Sequence, residues 1–349
     1  MDVRKALAEL SANTAPSGFE CNVAEACAKL LEPNVDEIYI DHMYNVVGIK
    51  RCGKKNAKKL MLCAHIDEIG LMVTGHDKGF LKICNIGGVD RRMLPGREVT
   101  VLADKKYFGV VGTAAPHGAA KGDEDKALAV EDLRVDVGLT EKEVEKLIPV
   151  GTPISFRTPF FDLGEDFFCG KSTDDRACFV AMAYAAEILK DKQVPWDIYY
   201  VGTISEEIGL RGAKETVYSI QPDVAIATDV CQATTPDIHP WNHLANIGEG
   251  PRFCCGPHIN KLVYKQVVKL AEEKRLPLSL GVLAGSTGTD CSALQIANAG
   301  IATAVISLPL QYMHTPQEVG SYTDLKLLGE IMAAYAEEPG EEARKCLNI

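Results

Sequence analysis

The spacing of apolar positions changes along the chain, and its first part predicts helices followed by strands. Residues 3–10 and 19–32 carry apolar side chains at helical spacing, which predicts two amphipathic helices. Short apolar runs at residues 37–40, 45–50 and 59–66 predict strands. The last run is almost entirely apolar, as expected for a strand that is covered on both faces of a sheet.

From about Gly70 to Gly164 the pattern consists of short segments in which apolar and polar residues alternate. Glycine, proline and charged residues separate these segments, and only KEVEKLI has helical character. The alternating segments are LMVTG, FLKICNIG, EVTVLA, YFGVVGTAA, RVDVGL and PISFRT. Several short strands without long helices between them are typical of a small β-barrel or sandwich.

After Gly170, segments with strand and helix patterns alternate to the end of the chain. The predicted strands are DIYYVGTI, DVAIATDV and IATAVISL, and amphipathic or apolar helices separate them. Strands separated by helices predict an α/β fold with a mostly parallel central sheet flanked by helices. We therefore expect a discontinuous α/β domain of residues 1–69 and 165–349, interrupted by an inserted, barrel-like all-β domain of residues 70–164.

Composition and charge narrow the possible partners. Hydrophobic residues make up 46% and charged residues 24% of the 349 residues, which are values of a globular protein. The net charge is −11, and this acidic balance argues against nucleic-acid binding, which needs a basic surface. The chain has no run of about eighteen apolar residues, so we expect no membrane span.

The twelve cysteines form no CxxC pair, and the first twenty residues have no apolar core of the signal-peptide type. Cysteines in a chain of this kind are expected to be reduced thiols that serve mostly as small core residues. We therefore predict a cytoplasmic protein.

Polar residues follow the predicted core strands, at the edge where an open α/β sheet binds its ligands. His65 and Asp67 end the strand at residues 59–66, and positions two apart on a strand face the same side. One interpretation is a metal site in which His65 binds the ion and Asp67 supports its imidazole. A hydrogen-bonded histidine at a strand end is the alternative.

Asp174 and Asp175 lie immediately before a predicted helix. Aspartates favour this position because they cap the helix and interact with its positive end. One aspartate is enough for that role, so the second one needs another partner. Arg176 or a bound cation could supply it.

Further acids and a histidine lie at the remaining strand ends. Glu206 and Glu207 follow six apolar residues, Asp229 ends DVAIATDV, and His314 follows IATAVISL. Individually they could be caps, turns or solvated surface. Together with His65 they favour a shared cation site, because unpaired buried carboxylates are costly. Imidazole and carboxylate ligands suit zinc, cobalt or manganese, and a carboxylate that bridges two ions is found in two-metal aminopeptidases.

With these motifs the chain resembles metallopeptidase family forty-two, the tetrahedral-assembly aminopeptidases. This family includes glutamyl, leucyl and lysyl aminopeptidases and proteins once labelled endoglucanases. The resemblance covers essentially the whole chain. The motifs that carry it are LSANTAPSGFE, AHIDEIGLMV, GVVGTAAPH, STDDRA, SEEIGLRGA, ATDV, GTDCSALQ and YMHTPQEV.

The resemblance implies two divalent metal ions per subunit, which could be zinc, cobalt or manganese. It implies that His65 binds one metal and that Asp67 orients it. Asp174 would bridge both metals, with a cis peptide bond to Asp175. Asp229 would be a ligand of the metal that His65 binds.

The resemblance also implies the rest of the site. Glu206 would be the general base and Glu207 a terminal ligand, and His314 would complete the shell of the second metal. Thr289 and Asp290 would line the site next to the substrate.

The expected function is that of a dinuclear aminopeptidase that removes N-terminal residues from short peptides with metal-activated water. The resemblance further implies a homo-oligomer in which the inserted domain mediates dimerisation and dimers form a dodecamer. A metal-dependent deacetylase or amidase on the same scaffold is an alternative. A glucan hydrolase fits less well, because its two carboxylates flank the scissile bond, whereas Glu206 and Glu207 are adjacent.

Overall fold

The computed structural model describes residues 1–113, 127–238 and 245–347, without the side chain of Cys346. The last four residues of the GVVGTAAPH motif, 114–117, lie outside the described ranges. Two separate sets of buried apolar side chains form the interior: one packs around a large sheet and its helices, and the other fills a barrel.

An eight-stranded sheet forms the centre of the larger part of the molecule. In spatial order its strands are β1 (Glu37–Ile40), β2 (Val46–Lys50), β12 (Asp197–Thr203), β3 (Lys59–His65), β13 (Val224–Gln232), β16 (Ala302–Leu310), β14 (Arg252–Cys255) and β15 (Ser279–Val282). The four central strands, β12, β3, β13 and β16, are parallel, and β2 and β14 pair with them in the antiparallel sense. The central strands are apolar along their length and buried, as the sequence predicts.

Helices flank this sheet and bury its faces. Their bounds are α1 (Val3–Ser11), α2 (Cys21–Leu31), α4 (Thr173–Leu189), α5 (Arg211–Ile220), α6 (Lys261–Lys274), α7 (Asp290–Gln295), α8 (Tyr322–Glu337) and α9 (Glu341–Leu347). The helix α4 is buried nearly all round because its sequence is apolar on every side, and it packs against α1, α8 and β3. The predicted α/β fold is confirmed.

The region of alternating segments forms a closed barrel of six strands. Around the barrel the strands are β4 (Gly70–Asp77), β5 (Phe80–Ile86), β8 (Arg134–Asp136), β7 (Lys106–Gly112), β6 (Glu98–Leu102) and β9 (Pro153–Phe156). Alternate side chains point into the barrel, so in β5 Leu81 and Ile83 are buried while their neighbours are not. Near the barrel the helix α3 (Glu141–Leu147) follows the one helical pattern of this region. The predicted barrel-like insertion is thus present in the fold.

A small third sheet has no counterpart in the sequence patterns. It consists of β10 (Phe161–Leu163), β11 (Phe167–Gly170) and β17 (Glu318–Ser321), all antiparallel. β10 lies inside the range predicted for the insertion, yet it pairs with β11 and not with the barrel. In the described ranges, no helix combines the length and the apolar character needed to cross a membrane.

A buried ionic cluster joins the barrel to the α/β part, and we call it the Glu68 cluster. Lys171 Nζ lies 2.5 Å from Glu68 Oε2, and Arg176 Nη2 lies 3.9 Å from Glu68 Oε1. Ser155 of β9 and the Ala15 N–H each donate to Glu68 Oε1 at 2.8 Å. Burial raises the pKa of Glu68, but the cations Lys171 and Arg176 outweigh it, and the pKa is lowered. The cluster therefore holds a carboxylate one residue from Asp67 in a fixed position.

Candidate functional site

The predicted site residues converge at the carboxyl ends of the central parallel strands. His65 and Thr203 are register partners at the last positions of β3 and β12. Asp229 lies near the end of the neighbouring strand β13, opposite Ser307 of β16. Because these strands are parallel, the segments that follow them leave the sheet at the same edge.

His65 lies between two carboxylates. Its Nε2 is 3.1 Å from Asp174 Oδ1, and its Nδ1 is 3.4 Å from Asp67 Oδ1. Burial lowers the pKa of His65, but these two carboxylates outweigh burial and raise it well above its ordinary value. The imidazole is therefore set in a strongly anionic surrounding with one ring nitrogen toward each carboxylate.

Asp67 fixes the backbone of the adjacent glutamates. Its Oδ1 accepts a hydrogen bond from the Glu206 N–H at 3.1 Å, and its Oδ2 accepts one from the Glu207 N–H at 3.3 Å. The Ser17 hydroxyl donates to Oδ2 at 2.6 Å. Burial raises the pKa of Asp67, but the contacts with His65, Ser17 and the Glu206 N–H outweigh burial and lower it.

The turn that carries Glu206 and Glu207 begins at Ser205, which has a left-handed backbone with φ +52°. A non-glycine residue rarely adopts this conformation without support. Glu20 provides it, since its Oε1 accepts from the Ser205 N–H at 3.0 Å and from the Ser205 hydroxyl at 2.9 Å. The turn that follows β12 is thereby anchored to the N-terminal segment.

Asp174 lies at the start of α4 and approaches two histidines. Besides the contact of its Oδ1 with His65, its Oδ2 is 3.5 Å from His314 Nε2. The Asp174–Asp175 peptide bond is cis, as the resemblance predicts. Buried Glu318 accepts from the Thr173 N–H at 2.9 Å and from the Asp174 N–H at 3.0 Å.

His314 and Glu207 close the other side of the site. His314 Nε2 is 3.6 Å from Glu207 Oε1, and the histidine is partly exposed while the Glu207 carboxylate is nearly buried. His314 follows β16 in a left-handed conformation with φ +61°. His314 lines the same cavity as His65, Asp174 and Glu207.

Two groups of side chains have the composition and spacing of metal ligands. Asp174 and Glu207 form one with His65, and Asp175 and Asp229 form the other with the same histidine. Within each group the potential ligand atoms all lie within 4.8 Å of one another. The groups share His65, so any ions that they hold would be neighbours.

Three carboxyl groups of the site have raised pKa values, which a positive charge placed among them would lower. Burial, with Asp229 as a further contribution, raises the pKa of Glu206 to about 9. Burial and Asp174 raise the pKa of Glu207 to about 9 as well. Burial and Asp175 raise the pKa of Asp229 well above its ordinary value. The donor set of imidazole and carboxylates therefore fits divalent cations, which would remove the cost of burying so many acids together.

A second observation supports this fit. Asp175 Oδ1 is buried and has no hydrogen-bond partner among the described residues. Asp175 Oδ2 accepts from the His65 N–H at 3.2 Å, so the carboxylate is held while one of its oxygens stays unsatisfied. A buried oxygen of this kind is expected where an ion completes the site.

These residues lie at one end of a cavity of about 740 Å³. Thr289 lines the cavity and caps α7. Asp290 is buried and accepts a hydrogen bond from the Thr203 hydroxyl at 2.5 Å, so it stabilises the last residue of β12. The cysteines Cys231 and Cys254 also line the cavity, and none of the eleven described cysteines forms a disulfide.

The sequence patterns do not identify several residues that hold the site in place. Glu318 belongs to the YMHTPQEV motif, but a single glutamate after a histidine gives no sign that it will be buried beneath Asp174. Ser17 and Glu20 lie far from the strand ends in sequence, and only the fold brings them to Asp67 and Ser205. Asp175 is recognisable as the second acid of an adjacent pair, whose need for a partner is a usable signal.

The fold and the candidate metal-ligand groups fit a metal-dependent hydrolase of the α/β type. The chain belongs to the M42 glutamyl aminopeptidase family, whose sequence profile matches residues 45–331. The chain is therefore an aminopeptidase, and membership implies the use of divalent metal.

Three individual relatives match this chain over nearly the full length of both chains. The lysyl aminopeptidase of Pyrococcus furiosus is 34% identical over 92% of this chain and 93% of its own. The aminopeptidase APDkam598 from the archaeon Desulfurococcus kamchatkensis has a TM-score of 0.89 at 36% identity, covering 96% of this chain and 94% of its own. The TET1 peptidase of Pyrococcus horikoshii, which can assemble into a tetrahedron or a large octahedral shell, has a TM-score of 0.84 at 26% identity, covering 97% and 100%.

Proposed function

We propose that this site is a dinuclear metal centre that removes N-terminal residues from short peptides. The observation that carries the proposal is the pair of buried ligand groups that share His65. One group alone would suit a single ion. Two adjoining groups, with His65 as a ligand of one ion only, suit two neighbouring ions, which is the arrangement used by two-metal aminopeptidases.

The proposed ligands divide between the two ions. His65 and Asp229 would hold one ion, and Glu207 and His314 would hold the other. Asp174 would bridge them, which is supported by the approach of its two oxygens to the two histidines, at 3.1 Å and 3.5 Å. Asp67 would orient the His65 imidazole from the side opposite Asp174.

Glu206 is the proposed general base. When bound, divalent ions such as zinc, cobalt or manganese supply Lewis-acid activation of water and of the peptide carbonyl. The Glu206 carboxylate would accept the proton of the attacking water and donate it to the leaving amine. Positive charge in the same site favours the ionised form of Glu206, which a base requires. Carboxylates of the site other than Glu206 would hold the free α-amine of the substrate. Binding of that amine would restrict cleavage to the N-terminal residue.

The substitution Glu206→Gln tests the role of the base. The variant is expected to keep its metal content, measured by elemental analysis, and to lose about 10²- to 10⁴-fold of its turnover on amino-acid p-nitroanilides. Glu145→Gln, at an exposed position of α3, is the control and is expected to behave like the wild type. Full activity of Glu206→Gln would refute the assignment.

Reconstitution of metal-free protein with zinc, cobalt or manganese tests the metal proposal. We expect activity to return with at least one of these ions and to require two per chain. Small acylated amines assayed in parallel separate a deacetylase or amidase from an aminopeptidase, since only the latter requires a free α-amine.

We also propose that the chain is a homo-oligomer and that the domain of residues 70–164 mediates dimerisation. The assembly of the Pyrococcus horikoshii TET1 peptidase supports the homo-oligomer. A tetrahedral shell is compatible with a dodecamer built from dimers. A closed shell would admit short or unfolded peptides and exclude folded proteins.

A further inference from the structure

The cavity at the candidate metal centre is bordered on one side by residues 87–90, which follow the barrel strand β5 and which we call the 87–90 segment. Gly88 of this segment lines the cavity together with Glu207 and His314. Glu207 and His314 are the proposed ligands of one of the two ions. The backbone that leaves the barrel therefore reaches a site whose proposed ligands all belong to the α/β part.

Gly88 lies directly against the imidazole of His314. A Cβ added to Gly88 would lie 2.8 Å from His314 Nδ1 and 3.1 Å from His314 Cε1. Non-bonded heavy atoms prefer a separation of about 3.5–4.0 Å, so a side chain at position 88 would displace the ring. The other ring nitrogen, Nε2, lies 3.5 Å from Asp174 and 3.6 Å from Glu207. The imidazole is thus confined between a bare backbone and two carboxylates of the site.

The 87–90 segment also holds the backbone of His314. The Asp90 N–H donates to the His314 carbonyl at 3.1 Å. His314 has a left-handed backbone, which a non-glycine residue rarely adopts without support. A second bond nearby joins Arg97 Nη1 to Gln317 Oε1 at 2.7 Å. The stretch of chain that carries His314 is therefore bonded to the barrel part at two points.

Gly87 packs against Glu207 in a similar way. A Cβ added to Gly87 would lie 3.2 Å from both Cβ and Oε2 of Glu207, and 3.0 Å from Ile69 Cγ2. Gly87 also has φ +72°, a conformation that glycine adopts without strain. Two adjacent residues without side chains thus let one segment approach both proposed ligands of the same ion.

We propose that the 87–90 segment is a positioning element for His314 and Glu207, and that it sets the affinity of the ion that these two residues would hold. The inference rests on the proposed dinuclear centre. The other ion would be held by His65 and Asp229, which belong to strands β3 and β13 of the central sheet. A change at position 88 should therefore affect one ion and spare the other.

Gly88→Ala tests the steric part of the inference. The backbone of Gly88 lies outside the left-handed region, so alanine adds a methyl group without backbone strain. The measurement is a calorimetric titration of the metal-free protein with zinc. The wild type is expected to bind two ions per chain. In Gly88→Ala we expect one ion to bind as in the wild type and the other to bind about 10- to 100-fold more weakly.

Gly75→Ala in the barrel strand β4 is the matched control, because a Cβ added there would lie 3.6 Å from Lys82 Cδ, which is an ordinary contact. It is expected to bind both ions like the wild type. Combining Gly88→Ala with His314→Ala removes the ring that the new methyl group would meet. This combined variant is expected to match His314→Ala alone in its affinity for both ions, and to fold even if Gly88→Ala does not.

Asp90→Pro and Asp90→Ala test the bond to the His314 carbonyl. Asp90 has φ −70°, which proline also adopts. Both substitutions remove the Asp90 side chain, but only proline also removes the N–H that donates to His314. We therefore expect Asp90→Pro to weaken the same ion as Gly88→Ala, by about 10-fold relative to Asp90→Ala.

Three results would overturn the inference and leave the dinuclear centre intact. They are unchanged binding of both ions in Gly88→Ala, an equal loss at both ions, and a combined variant that binds either ion more weakly than His314→Ala alone. Equal affinities in Asp90→Pro and Asp90→Ala would overturn the role of the backbone bond. A wild type that binds fewer than two ions per chain would overturn the proposed centre and this inference together.

Discussion

The Asp67 carboxylate contacts several residues of the site at once. It contacts His65 and accepts the backbone N–H groups of both Glu206 and Glu207. The proposed base and a proposed ligand therefore take their positions from the same group. Their neighbouring side chains can serve different purposes because the backbone between them is fixed.

Asp67→Asn tests this dependence. Both oxygens of Asp67 accept backbone N–H bonds, so an amide would direct its NH₂ group against one of these donors. We expect metal affinity to fall about 10- to 100-fold in a titration of the metal-free protein, with part of the activity restored by excess metal.

Ser17→Ala removes only the hydroxyl bond to Asp67 and serves as the comparison. Its effect on metal affinity is expected to be clearly smaller. Equal effects of the two substitutions would show that disturbing a backbone bond of Asp67 costs no more metal affinity than losing the Ser17 hydroxyl bond.

The sequence predicted the acids and histidines at strand ends, because parallel strands bring those ends together. It did not predict the residues that hold these acids and histidines in place. Glu20 and Glu318 reach the site through contacts over long sequence separations, 185 residues in the bond from Ser205 to Glu20. No local pattern encodes such contacts.

At the scale of elements, the Glu68 cluster links four segments of the chain. The N-terminal segment, the segment between β3 and β4, the barrel strand β9 and the start of α4 all contribute to it. Lys171 and Arg176 flank Asp174 in sequence, so the cluster also fixes the segment that carries the proposed bridging ligand.

A double-mutant cycle on Glu68→Met and Lys171→Met measures this link. Each single substitution leaves a buried charge without its partner and is expected to cost about 3–5 kcal/mol in the free energy of unfolding, measured with urea. The double variant is expected to cost less than the sum of the two.

The surface pair Lys58 and Asp223, 2.9 Å apart and partly exposed, provides the control cycle. Its coupling energy is expected to be below about 1 kcal/mol. A coupling energy for Glu68 and Lys171 as small as that of the surface pair would contradict the role of the cluster.

The long elements of the fold followed directly from periodicity, whereas some of the short ones did not. β14 and β15 have four residues each, and α7 has six. Segments this short do not complete enough periods to separate a strand or helix from a loop. β14 carries Arg252, so the missed elements include one that lines the cavity of the candidate site.

For the whole molecule, the outside of the barrel offers an apolar surface for association. Phe108 and Val110 are alternate residues of β7 and therefore face the same side, with 62% and 40% of their surfaces exposed. Exposed apolar side chains placed together favour an interface between copies of the chain.

Light scattering on purified protein measures the assembly. The wild type is expected to have a mass near twelve times the chain mass of 37.8 kDa. The double variant Phe108→Asp with Val110→Asp is expected to shift toward smaller species, because burying two carboxylates at an interface is costly.

Tyr218→Asp provides a control on α5, where Tyr218 is 73% exposed outside the barrel. A double variant that assembles like the wild type would place the contact surface elsewhere on the molecule.

Asp229, Ser307 and Arg252 are register partners and form one row across β13, β16 and β14. Two properties of the cavity at this row can vary independently of each other. The distance between Asp229 and Arg252 along this row is set by the spacing of hydrogen-bonded strands, which hardly differs between proteins. Arg252, the one arginine among the described residues that line the cavity, lies on the four-residue strand β14. A replacement at position 252 would therefore change the charge at this end of the cavity without altering the spacing of the strands that hold it.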